Sequence, residues 1–182
     1  MISREQRVPF ADTSKLPADF DLERYKVNGK VVNIFGVLIN HPKLLRAWGR
    51  FGAYILSNEQ TLSPREREIA ILRIGWLNQA QYEWEQHVRI GKTSGLSDDD
   101  IDRITKGPQA GWNRNEAALL QAADDLFENS VVSDETWKTL SERYNTQQMM
   151  DLVFTIGQYN LVSWALNSLG VPLDEYLPGA KK

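Results

Sequence analysis

Residues 63–77 read SPREREIAILRIGWL, and this stretch decides the fold class. Ser63, Pro64 and Glu66 form the signature of a helix start: a hydroxyl cap, proline at the first helical position and a glutamate three residues on. The apolar run IAILRIGWL follows directly, with no alternation of the kind a half-buried strand shows. It predicts an apolar helix with Glu68 near its start.

Working outward, the same punctuation recurs. Ser97 precedes Asp98, Asp99 and Asp100, which puts a cap and then negative charge where the helix dipole favours it. Asn113 with Glu116, Asn145 with Gln148, and Ser133 mark three further starts. Gly95 suits a left-handed cap after the helix containing His87, and Gly170-Val171-Pro172 ends the last long helix. The run VVNIFGVLIN, residues 31–40, is open to a β reading, but no alternating partner or hairpin turn follows it. The expected fold is all-α, a single-domain bundle of about seven helices. Residues 1–30 hold Pro9, Pro17 and little periodicity, and are expected to be an extended arm lying on the domain or on a neighbouring subunit. The domain is expected over 31–177, with 178–182 as a tail. No internal repeat is visible.

Composition narrows the function. The chain has 182 residues, 42% hydrophobic and 25% charged, with a formal net charge of −3. No basic run points to nucleic acid or an anionic membrane. The start, MISREQRVPF, lacks the apolar segment of a secretory signal, and no stretch reaches the ~18 apolar residues of a membrane span, so a cytoplasmic protein is expected. With no cysteine, thiol nucleophiles, disulfides and cysteine-bound metals are excluded. Two histidines, His41 and His87, cannot build a multi-histidine zinc site within one chain. Any metal would need carboxylate ligands, and no EF-hand-like loop is present. His41, before Pro42, belongs to a turn.

The chemistry concentrates in residues 78–91, NQAQYEWEQHVRIG. At ~100° per residue, Ala80 falls within ~20° of His87 on the helix, Glu83 within ~40° and Trp84 within ~60°. A carboxylate beside an imidazole sets its tautomer and raises its basicity, and an aromatic wall keeps water out. The same pattern also fits a solvated surface pair with Trp84 as plain core. Glu68 is a second candidate, on a helix joined to this one by almost nothing around Asn78; spacing does not settle whether it reaches His87, and it equally fits a first-turn glutamate favoured by the helix dipole. Arg73 lies ~140° from Glu68 and Arg89 ~160° from His87, so both are expected to be solvated or interfacial rather than anchors in the site. Gln158, Tyr159 and Asn160 interrupt the last apolar helix, either as satisfied interior groups or as pocket lining.

The run EREIAILRIGWLNQAQYEWEQHVRIGKTSGLSDDDIDRI resembles the carboxymuconolactone decarboxylase superfamily, which includes alkylhydroperoxidase D-like (AhpD-like) proteins. NHPKLLRAW before it and DLVFTIGQYNLVSWALNSLGV near the end extend the resemblance over about residues 30–174. The resemblance implies an AhpD-like helical fold, assembly as a trimer or hexamer, and pockets near subunit contacts. In the peroxidase branch a glutamate precedes a C-x-x-C-x-x-x-H motif. Carried over, the glutamate is Glu68 and the histidine His87, while the cysteine positions are Ala80 and Glu83, so the thiol route is closed. The decarboxylase branch places a glutamate four before the histidine, as Glu83 stands before His87, and works without metal or organic cofactor. Glu68 is more typical of the thiol branch.

These readings combine into one expectation. The chain is a cofactor-free lyase that decarboxylates a small cyclic or aromatic-derived acid, as in the catabolism of aromatic compounds. His87, Glu83 and Glu68 are the catalytic residues, and Trp84, Ala80 and Asn160 contact the substrate. Isomerisation, dehydration or lactone hydrolysis by the same residues stays open, as does a non-catalytic helical oligomer that binds a small ligand.

Overall fold

A computed structural model describes residues 1 and 5–177. The expected C-terminal tail, 178–182, lies outside the described residues. Eight α-helices occur among those described: α1 Asn33–Leu38, α2 Pro42–Ile55, α3 Pro64–Leu77, α4 Gln81–Thr93, α5 Asp98–Lys106, α6 Arg114–Asn129, α7 Asp134–Ser141 and α8 Thr146–Leu169. The expected all-α architecture is therefore observed, with one helix more than expected. The additional element is α1, which forms from the ambiguous VVNIFGVLIN run. A two-residue hairpin, β1 Lys26–Val27 and β2 Lys30–Val31, precedes it. Asn28 and Gly29 form its turn, both at positive φ (52° and 77°), the backbone an Asn-Gly hairpin requires.

Local sequence accounts for the helix starts. Ser63, Ser97 and Asn145 each complete a reciprocal capping box with Glu66, Asp100 and Gln148. Asn113 and Ser133 cap α6 and α7 through their side chains, and His41 caps α2 by accepting from Leu44 N–H. Gly170 ends α8 in the left-handed conformation at φ 66°.

α3 is the axis of the molecule. Its nine residues Arg67–Gly75 are all buried, because α4, α5, α6 and α8 pack around it. The main core joins Ile69, Ile71, Leu72 and Ile74 of α3 with Leu119 and Leu120 of α6 and Leu152 and Ile156 of α8. Arg73 is inside this assembly rather than solvated, which corrects the sequence expectation. Its guanidinium forks onto Asp124 of α6 (Nε to Oδ1 2.6 Å, Nη2 to Oδ2 2.9 Å) and donates to the Ile104 carbonyl at the end of α5.

The α3–α4 corner is tight. Gln79 takes a left-handed φ of 54°, a conformation that costs a non-glycine residue about 1 kcal/mol or more. Asn78 holds the corner by donating to the Ile74 carbonyl and to Asn160 Oδ1 on α8, at 2.9 and 2.7 Å, and Asn167 donates back to the Asn78 carbonyl. The corner turns α4 back along α3, so that side chains on the two helices face each other.

Residues 5–11 lie on their own chain. Arg7 N–H donates to the Leu169 carbonyl and Ala11 N–H to the Gly36 carbonyl, both at 2.9 Å. The Glu5 carbonyl comes so near Gly170 that a Cβ there would sit 2.1 Å from it. No helix among the described residues is long and apolar enough to cross a membrane.

Candidate active site

The α3–α4 hairpin brings together the three side chains singled out for chemistry. His87 Nδ1 lies 2.7 Å from Glu68 Oε2. His87 Nε2 lies 3.1 Å from Glu83 Oε1, close enough for charge attraction but off the line of a hydrogen bond. Glu68 is fully buried, Glu83 is 4% exposed and His87 5%. The solvated-pair alternative is thereby rejected. A carboxylate at Glu68 accepts from Nδ1–H, which fixes that proton and turns Nε2 toward Glu83.

Electrostatics follow from this packing. Burial raises the Glu83 carboxyl to about 7, with the nearby Glu68 adding to the rise and His87 opposing it. For His87, burial alone pushes the imidazole down, but the two carboxylates outweigh it and the net shift is upward. The Tyr159 hydroxyl is raised well above the ordinary value by burial and by the two glutamates. Its ring meets the His87 ring edge-on, centroids 4.8 Å apart, and holds the imidazole plane in place. Two carboxylate oxygens, Glu83 Oε1 and Glu68 Oε1, are buried with no hydrogen-bond partner among the described residues. Arg67 Nε, 3.8 Å from Glu68 Oε1, is equally unpartnered. Unpaired buried polar atoms are costly, and their concentration here marks a site organised for something other than stability.

Glu83, His87 and Tyr159 open onto a cavity of about 460 Å³, a size that fits small-molecule sites. Its walls come from α2 (Leu45, Trp48, Gly49, Gly52), from α8 (Gln158, Val162) and from segments before α1 and after α8 (Tyr25, Tyr176). Glycines on α2 leave the volume that larger side chains would fill. The C-terminal wall is pinned by Asp174, which accepts from Tyr82 Oη (2.5 Å), Gln86 Nε2 (2.8 Å) and Asn33 N–H (2.8 Å).

The three expected substrate contacts are placed elsewhere. Trp84 packs on Trp76, centroids 5.1 Å apart, because its position on α4 faces α3 beside the cluster rather than the cavity. Ala80 is fully buried at the corner as the N-cap of α4. Asn160 serves the corner through Asn78. None of the three lines the cavity, whereas their neighbours Tyr82, Gln158 and Tyr159 do. Arg89, expected to be away from the site, lies on the cavity wall over the Tyr176 ring. Among the described residues no group of three or more histidine, cysteine or acidic side chains converges as metal ligands do.

The chain thus has an all-helical fold whose central hairpin clamps one histidine between two glutamates. Residues 42–125 match the model of the Carboxymuconolactone decarboxylase family. An uncharacterized peroxidase-related protein with an AhpD core from Ralstonia eutropha JMP134 has the same fold at 21% identity, with 93% of each chain covered and a TM-score of 0.82. A peroxidase-related protein from Silicibacter sp. TM1040 matches at 15% identity over 97% of this chain and 98% of that one, TM-score 0.78. A variant of the debrominase Bmp8 in complex with 2,3,4-tribromopyrrole matches at 17% identity over 96% and 95%, TM-score 0.72. No curated protein sequence matches the chain. Over residues 42–125 the chain is thus similar to the Carboxymuconolactone decarboxylase family, and over nearly its whole length it shares the fold of AhpD-like proteins.

Proposed function

We propose that this protein is an acid–base enzyme that decarboxylates a small cyclic or aromatic-derived carboxylic acid without a cofactor. The observation that carries the reading is the buried Glu68–His87–Glu83 cluster opening onto the cavity, with the Glu83 carboxyl raised to about 7. A group that titrates near neutral pH is half protonated under working conditions and can give a proton and regain it. In the reaction, the bond between the substrate carbon and its carboxylate breaks, CO2 leaves, and the electron pair moves into a conjugated carbonyl as an enolate. Glu83 or the His87 imidazolium then delivers a proton to that carbon. Glu68 holds the positive charge on His87 and fixes Nδ1–H.

The sequence reading placed His87 at the centre of proton transfer. In this geometry both ring nitrogens already face carboxylates, so Glu83 is the better terminal donor, with His87 as relay and positioning group. The debrominase neighbour is a complex with a planar ring, and the aromatic walls here suit a planar ring as well. Isomerisation or lactone hydrolysis would use the same residues, and product analysis separates them from decarboxylation. The test is a panel of lactone acids and aromatic-derived acids, with CO2 release followed by mass spectrometry. Glu83→Gln is expected to lower release by about 100-fold or more. Undiminished release in that variant rejects the role.

Self-association into a trimer or hexamer belongs to the same proposal. Met150, Phe154, Leu161 and Trp164 form an exposed apolar stripe along α8, each at least half exposed. Spacings of four, seven and three residues keep them on one helix face, with Gly157 between. Light scattering on the purified protein measures the assembly directly.

A further inference from the structure

The cavity has a feature that proton transfer does not use. Four arginines line it: Arg24 from the segment before β1, Arg46 and Arg50 on α2, and Arg89 on α4. All four are exposed, and none forms an ion pair among the described residues. The single acidic residue on the lining is Glu83, so the cavity is strongly cationic in a chain whose net charge is −3. Arg46 and Arg50 stand one helical turn apart, a like-charge spacing that destabilises a helix by tenths of a kcal/mol when nothing offsets it.

Exposure orders these groups. Glu83, His87 and Tyr159 are buried at the floor, and the arginines are at the rim. Between them lie aromatic side chains, including Tyr25, Phe35 and Trp48, with ring pairs Tyr25–Phe35 at 5.1 Å and Phe35–Trp48 at 6.3 Å. A cavity of about 460 Å³ exceeds what one small ring fills.

We infer that the cavity takes an extended, planar, largely apolar molecule with an anionic group that stays on it through the reaction, the rings between the aromatic walls and the anion at the arginine rim. This rests on the acid–base reading only for the direction in which the molecule lies: the reacting carbon is at the floor and the retained anion at the opposite end. A carboxylate lost as CO2 is then a different group from the one the arginines hold. Guanidinium forks suit a planar carboxylate or sulfonate, which offers two acceptor oxygens side by side.

Binding of 2-naphthoate, naphthalene-2-sulfonate and the neutral 2-naphthamide to the full chain, followed by tryptophan fluorescence and calorimetry, tests this without turnover. Both anions are expected to bind at least about ten-fold more tightly than the amide at low salt, with the advantage shrinking as salt is raised. Arg46→Gln/Arg50→Gln is expected to abolish the preference while the amide still binds, and Arg89→Gln to reduce it. Glu83→Gln leaves the preference for anions in place. Equal binding of anions and amide, no binding of any of them at millimolar concentration, or a preference that survives all the arginine variants overturns the inference. Because Glu83 governs turnover and the arginines govern affinity, failure of the acid–base reading shows as unchanged CO2 release in Glu83→Gln with anion binding intact.

Discussion

His87 Nδ1 and Glu68 Oε2 meet at 2.7 Å across the α3–α4 hairpin, nineteen residues apart in the chain and with Glu68 wholly removed from water. The carboxylate is what allows a buried imidazole to keep its proton, since burial alone acts in the opposite direction. Glu68→Gln is nearly isosteric and removes only the charge. The expected outcome is a downward shift of the His87 titration, read from the imidazole Cε1–H resonance, with far-UV circular dichroism unchanged. A His87 titration that matches the wild type removes Glu68 from the relay.

The pH dependence of stability has a definite sign. The Glu83 carboxyl is raised from 4.5 to about 7, so the folded chain holds a proton that the unfolded chain has already released in that window. His87 is raised from 6.5, and its contribution is present below 6.5 and lost as pH climbs through the folded value. Both act in one direction: stability falls as pH rises from about 5 to 8. The slope is at most about 1.4 kcal/mol per pH unit for each proton. Tm measured across this range is expected to decline, and Glu83→Gln to flatten the decline below pH 7. A Tm that rises over the interval, or an identical slope in the variant, contradicts the assignment.

Local interactions were legible in the sequence and tertiary ones were not. Caps at Ser63, Ser97 and Asn145 are formed between residues three apart, so the letters contain the whole interaction. Glu83 and His87 share one helix face for the same reason. The Glu68 contact is non-local: the short connection around Asn78 made Glu68 a candidate, but spacing could not settle whether it reaches His87. Asn28-Gly29 was a readable turn signal that the coarse reading passed over. Arg73 was misplaced because an angle measured from Glu68 says nothing when the whole helix is buried and Asp124 waits on another element. Arg89 and the α2 wall, with Trp48 and two arginines, are joined only by the tertiary structure, in which α2 and α4 line one cavity. Trp84 and Asn160 went to structural duties beside the site, where a one-position change of face separates lining from core.

Gly75 sets how closely α3 approaches the reactive carboxyl. A Cβ built there lies 3.3 Å from Glu83 Cγ and 3.9 Å from its Cβ. Gly75→Ala therefore pushes Glu83 by tenths of an ångström. Alanine also gains up to about 1 kcal/mol of helix propensity, which offsets the crowding. Little change in Tm is expected, together with a shifted Glu83 titration and reduced turnover. Gly91→Ala is the contrasting control, since its Cβ would sit 2.8 Å from Leu96 Cδ1 and 3.3 Å from Leu72 Cδ1 in the core. It is expected to destabilise by about 1–3 kcal/mol and to leave the titrations alone. Loss of stability in both variants, with no titration change in either, removes the link between Gly75 and the site.

Arg73 carries the last prediction, and it concerns the frame that holds the hairpin. The guanidinium is 8% exposed, satisfied by Asp124 on one side and by the Ile104 and Thr105 carbonyls on the other. Breaking such a pair strands the partner charge, which costs more than the pair itself contributes. Arg73→Met keeps the volume and removes the charge, leaving Asp124 mostly buried without a cation. Urea denaturation is expected to show a loss of about 3 kcal/mol. Adding Asp124→Leu removes the stranded carboxylate and is expected to return a large part of that loss, whereas two independent interactions would give a further decrease. If the double variant is less stable than the single one, the fork is a net source of stability rather than a device that fixes α3 against α5 and α6. In either case the His87 titration should hold, because Arg73 faces α6 on the side of α3 away from the cavity lining.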